Sequence, residues 1–450
     1  MGIFDALTAA VSGLQSQSFA LQNISGNIAN SQTIGYKETD TAFEALVSQA
    51  ALGEQTAGGV FASSRATNTV QGTIQNESVS TDMAVDGDGW FVVTQPTANS
   101  GSTPQFTGVN DYTRRGDFQM DSNGYLVNGA GYYLMGIQLN PTTGQPQSST
   151  PTVLQFGNNF LPAHPTGNIT YAANLPSSPS VMYDNSSNQW KGTNPLDASS
   201  GGAGTVQNQD AATFTSQSLD GGSITAYDSL GNPVNVQLRW METSSSSGGN
   251  QWQLFYEANT NPTQPTDVVW QNVGSTFSFD TTGKLTSISP ALGPQNITIN
   301  GDTLKNVSFN TSAATLTQFA SSTGNVQVTN LTQDGFAAGS LQSLSVDNGQ
   351  IVGSYSNGQT IALANITLAT FNGANSLQPL NGEAYAATPQ SGDPLYSATG
   401  KVVGSALEAS NVDIATQFSQ LIVAQQAYSA NARVMTTADQ MVQSLLTAVQ

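Results

Sequence analysis

Three groups of residues in this chain have types and spacings that could do chemistry. Asp86-Gly87-Asp88-Gly89 and Asp121-Ser122-Asn123-Gly124 open like calcium loops, with oxygen ligands at alternating positions. A full loop also needs a closing Glu, and neither stretch has one. Both lie between strand-like runs, so the expectation is tight hairpin turns in which Asp and Gly supply the geometry. Paired carboxylates could hydrolyse a glycoside. The acids here fall mostly at turns (Asp121, Asp228, Asp280, Asp347), and no spacing isolates a pair. The single histidine, His164, stands in a Pro-rich stretch and is expected to be a solvated surface ring, which leaves a His-based triad or zinc centre without its parts. Cysteine is absent, which removes disulfides and thiolate metal sites and suits a protein that must stay unfoldable in either redox compartment. The expectation is no enzyme, no catalytic residue, no cofactor and no metal.

The informative pattern lies instead at the two ends. Residues 3–28 read as one helix whose inward positions run Ile3, Leu7, Ala10, Leu14, Gln17, Leu21, Ile24 and Ile28, ended by the Gly/Asn-rich stretch 26–30. The same alternation of four and three picks out Ile414, Phe418, Leu421, Gln425, Tyr428, Ala432, Met435, Asp439, Val442, Leu446 and Val449. Apolar residues on a 3.5-residue period form the seam of a coiled coil. Two arrangements satisfy it: an ordinary two-helix coil within one chain, or the inner, inter-subunit layer of a polymer. A lone pair of such helices is marginal, so burial on a further side by neighbouring copies is the favoured expectation. The final helix is expected to begin near Ser410-Asn411, with Ser410 and Asp413 forming a capping-box-like start.

Charge sharpens this. From Met1 to Gln32 the sole charge is Asp5, and from Asn411 onward only Asp413, Arg433 and Asp439 occur. Flanks of Ser, Gln, Asn, Thr and Ala can exchange hydrogen-bond partners cheaply, which permits close packing and small slips. Arg433 is the exception and is expected to pair with a carboxylate, Asp5 or Asp439 of a neighbour. The formal charge of −19, with ten Lys and Arg, gives nucleic acid or anionic lipid nothing to bind. Membrane insertion is not expected, because no run approaches the roughly 20 apolar residues a span requires. Residues 1–30 have no basic n-region, so export is expected to leave the N-terminus uncleaved.

Between the ends, period-two runs and Asn-Gly or Asp-Gly turns indicate hairpins. The fold class expected is a mainly β multi-domain body, a discontinuous β core domain with an inserted β outer domain, plus an α-helical coiled-coil domain formed by the N- and C-terminal helices. The boundaries read as 1–30 and 411–450 for the helical domain, 31–83 and 401–410 for a connecting arm, 84–150 and 326–400 for the core, and 151–325 for the insert. Ala198–Gly204 and Ser244–Gly249 look like loop tips.

At the ends and inside, the residues resemble a known family, the axial proteins of the bacterial flagellum. Asn27-Ile28-Ala29-Asn30-Ser31-Gln32-Thr33-Ile34-Gly35-Tyr36-Lys37 looks like its N-terminal signature. Ser410-Asn411-Val412-Asp413, Gln425–Arg433 and Thr437–Met441 look like its C-terminal one. Gly87-Asp88-Gly89-Trp90-Phe91 and Tyr112-Thr113-Arg114-Arg115-Gly116-Asp117-Phe118 are similar to its core motifs. The size of the insert, the turn Tyr227-Asp228-Ser229-Leu230-Gly231 and the return Asp334–Leu341 are similar to hook members rather than distal rod members. The resemblance implies an extracellular structural subunit of a hollow, curved helical tube that transmits motor torque as a universal joint. It implies a homopolymer partnered by the rod, the hook cap, the hook–filament junction proteins and the type III export apparatus. Terminal helices would line the channel. The assembly interface would comprise Ile3, Leu7, Leu14, Leu21, Ile24, Ile28, Ile414, Phe418, Leu421, Tyr428, Arg433, Met435, Val442 and Leu446. The competing readings are a distal rod or other axial protein, and a secreted β-rich adhesin or polysaccharide-active enzyme. An enzyme would need convergent acids, and an adhesin would not need matched helices at both extremes.

Overall fold

The computed structural model describes residues 3–51, 54–100, 103–106, 108–141, 143–157, 160–180, 183–184, 189–190, 204–246, 249–312, 314–396 and 400–449. The expected loop tip at 198–204 therefore lies outside the described residues apart from Gly204, and 247–248 of the second tip also lie outside them. Long-range contacts divide the chain into two units: residues 1–159, 341–354 and 360–450 form one, and residues 160–340 with 355–359 form the other.

The first unit contains both terminal helices. Helix α1 (Ile3–Ala29) is rich in Ala, Leu, Gln and Ser and has no proline, so nothing interrupts its backbone ladder. It stops where the Asn30 side chain and backbone both donate to the Gly26 carbonyl. Gly35 then turns the chain at φ +72°, and a Cβ there would lie 2.7 Å from Arg115 N.

Residues 39–51 and 54–66 form the two arms of a long antiparallel hairpin, β1 (Thr39–Ala51) and β2 (Glu54–Ala66), paired from Thr39 with Ala66 to Ala51 with Glu54. The sequence marks this stretch only as part of a connecting arm, because its apolar patches are short and no Asn-Gly turn announces a hairpin. The alternation of Thr39, Thr41, Phe43, Ala45 and Val47 was the available signal.

The β body of this unit is discontinuous in sequence. Trp90–Thr94 pairs with Tyr133–Gln138 on one side and Asp111–Thr113 on the other. Residues from the second half of the chain extend the same sheet: Thr360–Ile366 joins Tyr133–Gln138, and Ala384–Ala386 joins Asp111–Thr113. Trp90, Val92, Tyr112, Met135, Ala369, Leu377 and Tyr385 fill one core, with Trp90 edge-on to Tyr385 at 4.8 Å.

In the second unit, an antiparallel sheet carries Leu219–Tyr227, Pro233–Ser246, Gly249–Glu257 and Val268–Phe279 in consecutive pairings. Another sheet sets Asn168–Asn174 between Asp302–Asn310 and Gln327–Gln333. Their facing side chains, Tyr171, Trp240, Trp252, Phe277 and Val307 among them, merge into a single sandwich core. Trp240 Nε1 donates to Tyr171 Oη (2.9 Å), which donates to the Gly221 carbonyl (2.8 Å). A short helix, α2 (Asn208–Gln217), caps one side by packing Phe214 against Phe255 and Trp270.

Three local expectations are corrected. The insert was read as 151–325, but Thr152–Val153 pairs with Met135 and Gly136 of the first unit, and Gln327–Gln333 pairs with Asn168–Asn174 of the second. Asp86–Gly89 is not a hairpin. Met83–Asp86 pairs with Lys401–Gly404 while Trp90–Thr94 enters the core sheet, so this turn carries the chain between two sheets. His164 is no solvated ring: it is half-buried and stacks on Phe336 at 5.5 Å. By contrast, Asp121–Gly124 does close a hairpin, with Asp121 Oδ1 accepting from Asn123 N (2.9 Å) and Tyr125 N (2.8 Å).

Candidate assembly interface

Helix α3 (Ile414–Val449) starts one turn later than expected. Its cap is Asp413, whose carboxylate accepts from Thr416 N at 2.7 Å, while Ser410 Oγ reaches only Val412 N. These backbone bonds hold the Asp413 carboxyl below its ordinary range.

Both terminal helices find a partner within the chain: α1 packs against α3 and also against the β1–β2 hairpin. Ser16 Oγ donates to the Val60 carbonyl (3.0 Å) and Val60 N donates to Ser12 Oγ (3.1 Å), so α1 grips β2 through both backbone groups of one residue. Gly59 permits this approach, because a Cβ there would stand 2.7 Å from Ser12 Oγ. The second side of burial that sequence assigned wholly to neighbours is thus supplied in part by the chain's own hairpin.

The buried line on α1 is Ala10, Gly13, Ser16, Ala20, Ile24 and Asn27, mostly small residues. The predicted Leu7, Leu14, Gln17, Leu21 and Ile28 are half-buried beside it, and of the expected positions Ala10 and Ile24 are fully inside. Ile3 lies in α1, with its side chain outside the described residues. On α3 the difference is larger. The buried positions are Gln417, Ala424 and Ala438, with Leu421, Asn431 and Val442 half-buried. Gln417, Ala424, Asn431 and Ala438 lie one residue before the predicted 418, 425, 432 and 439, while the predicted Leu421, Ala432 and Val442 are half-buried beside them, so the inward face is turned by about 50°, half a residue step.

Much of the predicted stripe is therefore left exposed. Ile414, Phe418, Tyr428 and Met435 are 44, 51, 44 and 41 % exposed, and Leu446 is 61 % exposed. Ile422, one turn from Phe418, extends this ridge, and Val423, Val434 and Met441 are exposed further round the helix. Arg433 is exposed and makes no ion pair among the described residues. A run of large apolar side chains along a helix of this length is far more than scattered surface hydrophobics, and such a face marks an interaction site.

Two buried polar clusters fix where the helices leave the body, and sequence reading singled out neither. In the first, Asn27 Nδ2 donates to the Thr39 carbonyl (3.0 Å) and to Gln417 Oε1 (3.2 Å). Its Oδ1 accepts from Thr39 N (3.0 Å) and Tyr36 Oη (3.1 Å), and Gln417 Nε2 donates to Glu38 Oε1 (2.8 Å). Burial pushes the Tyr36 and Glu38 groups up. The second cluster is ionic. Glu408 receives Lys37 Nζ on one oxygen and Arg114 Nη1 on the other (3.1 Å), with Gly72 N adding a third donor at 2.9 Å. All three side chains are buried, and burial lowers the Lys37 pKa against the opposing pull of Glu408. The available signal was Glu408 itself, the lone charge between Lys401 and Asp413 in an apolar run.

Known proteins match along most of the chain. Residues 84–159 match the family described as the flagellar hook protein FlgE/F/G D1 domain. Residues 189–336 match the flagellar basal body protein FlaE D2 domain, and residues 403–448 the flagellar basal body rod FlgEFG protein C-terminal family. The flagellar hook protein FlgE of Salmonella typhimurium strain LT2 is 30% identical over 448 residues, covering 97% of this chain and 98% of that protein. Those of Escherichia coli K12 and Brucella suis biovar 1 are each 29% identical, at 98% and 99% coverage of this chain and 99% of each relative. Among solved structures, the Helicobacter pylori flagellar hook protein FlgE2 aligns with a TM-score of 0.49 and 16% identity, over 74% of this chain and 100% of that one.

Proposed function

This chain belongs to the flagellar hook protein family and is a structural subunit of the flagellar hook, and from that premise we propose that copies join through the outward face of α3 into a hollow, curved tube that passes motor torque to the filament. The observation carrying this reading is the apolar run Ile414, Phe418, Ile422, Met435 and Met441, exposed on a helix that bears Arg433 and Asp439 as its only charges. Burying such side chains is worth about 1.5–3 kcal/mol each, which a second copy can supply. The scarcity of charge on this face favours contacts that slide without breaking ion pairs, as a flexible joint requires.

The seam residues Leu7, Leu14, Leu21, Ile24 and Ile28 act in this reading as the backing of that face, and Leu421 and Val442 hold α3 onto α1. Rod, cap and hook–filament junction proteins would meet the ends of the tube. The type III export apparatus would deliver the chain unfolded, which the absence of cysteine favours. No reaction is assigned to the chain; its named relatives are structural proteins.

The test is Phe418→Asp with Met435→Asp, followed by sedimentation and electron microscopy. A folded, monomeric product that forms no tubes is expected, and normal tubes from it would sink the proposal.

A further inference from the structure

We propose that the groove between α1, β1 and α3 is a socket for the outward ridge of α3 from a second copy of this chain. The inference deepens the hook-subunit reading by naming the surface that receives the exposed helix face. A filament grows by heterologous contact, in which one surface of each copy meets a different surface of the next. The ridge of α3, led by Phe418 and Ile422 one turn apart, is the convex half.

The concave half is a groove of about 440 Å³. Ala20 and Ala424, both buried, make its floor shallow-chained and leave room for an incoming side chain. Ile24 adds an apolar wall, while Phe43 and Val423, 48 and 65 % exposed, form the lips. Asp40 at the edge is already paired with Arg65 (3.2 Å), so an apolar knob enters without stranding an unpaired charge. Val423 on the lip and Phe418 and Ile422 on the ridge stand about 100–140° apart around the same helix, so one α3 presents both halves of the contact to different neighbours along a growing polymer.

The absence of native cysteine makes the test direct. Phe43→Cys and Ile422→Cys subunits are prepared separately, polymerised alone and as an equal mixture, and treated with a short bis-maleimide before denaturing electrophoresis. The expected result is covalent dimer from the mixture and none from either variant alone. A second pair, Val423→Cys with Phe418→Cys, decides the matter if Phe43→Cys subunits fail to polymerise. Tubes that form yet give no mixed dimer overturn the socket, and so does dimer from Ile422→Cys alone, which would mean ridge against ridge. Failure of the unmodified chain to polymerise would instead sink the hook-subunit reading and the socket with it.

Discussion

Lys37 Nζ lies 2.5 Å from Glu408 Oε1, with both side chains almost wholly out of solvent, so one charge pair ties the segment after α1 to the strand just before α3. Arg114 from the core sheet completes the cluster on the other carboxylate oxygen. Two cations thus share one anion. The acid is the member whose loss is least tolerable.

Glu408→Gln should cost on the order of 3–5 kcal/mol, because it leaves two buried cations uncompensated. Lys37→Met should be much milder, since Arg114 and Glu408 remain as a balanced pair. Urea unfolding of the two variants checks the order. Equal losses, or a worse Lys37 variant, would contradict the shared-anion account. The lowered Lys37 pKa carries its own sign. The folded state holds this proton less tightly than the unfolded chain, so stability should rise with pH between the lowered folded value and the ordinary 10.5. Lys37→Met should abolish that rise.

Asn27 satisfies four groups at the base of the two helices. Asn27→Leu leaves Thr39 N, the Tyr36 hydroxyl and Gln417 to be buried without it, at about 1–3 kcal/mol. Hydrogen exchange should then speed up at the start of α3 more than at its far end. Because the two residues share a bond, adding Gln417→Leu should cost less than the sum of the single losses.

Glu242 reports on the second unit alone. It sits 3 % exposed on Pro233–Ser246, directly opposite Trp252 on Gly249–Glu257, and its Oε1 and Trp252 Nε1 both lack a hydrogen-bond partner among the described residues. Burial raises its pKa from 4.5 to about 7. The uncharged form suits the core, so its contribution to stability is complete below pH 4.5 and is lost as pH rises through about 7. The loss amounts to about 3 kcal/mol. Melting of this unit, followed by tryptophan fluorescence, should fall between pH 4.5 and about 7, and Glu242→Gln should flatten that dependence.

Two glycines should respond in opposite directions. A Cβ on Gly116 would stand within covalent reach of the Met83 carbonyl oxygen, at 1.6 Å, so Gly116→Ala should cost about 3 kcal/mol or more. Gly26, inside α1 with nothing within 4 Å of the Cβ position, should gain about 0.5–1 kcal/mol as alanine. Calorimetry should place the Gly116 effect in the transition of the first unit and leave that of the second unmoved.

The local grammar of the chain was legible in advance. Asp121, Asp228 and Asp280 each fold their carboxylate onto the following backbone amides, as short acids at turns do wherever they occur. Heptad spacing announced two helices with apolar stripes, since 3.5-residue repetition is a property of neighbours in sequence. Periodicity does not say which side of a stripe finds a partner. Gly13 lies so close to Asn431 that a Cβ would meet its amide at 2.7 Å, so the small residues on α1 let the line Gln417, Ala424, Asn431 and Ala438 of α3 approach and leave Phe418 and Met435 exposed. Glu408 likewise meets Lys37 and Arg114 across hundreds of residues. Close approach and buried charge are decided by groups far apart in the chain, and only folding brings them together.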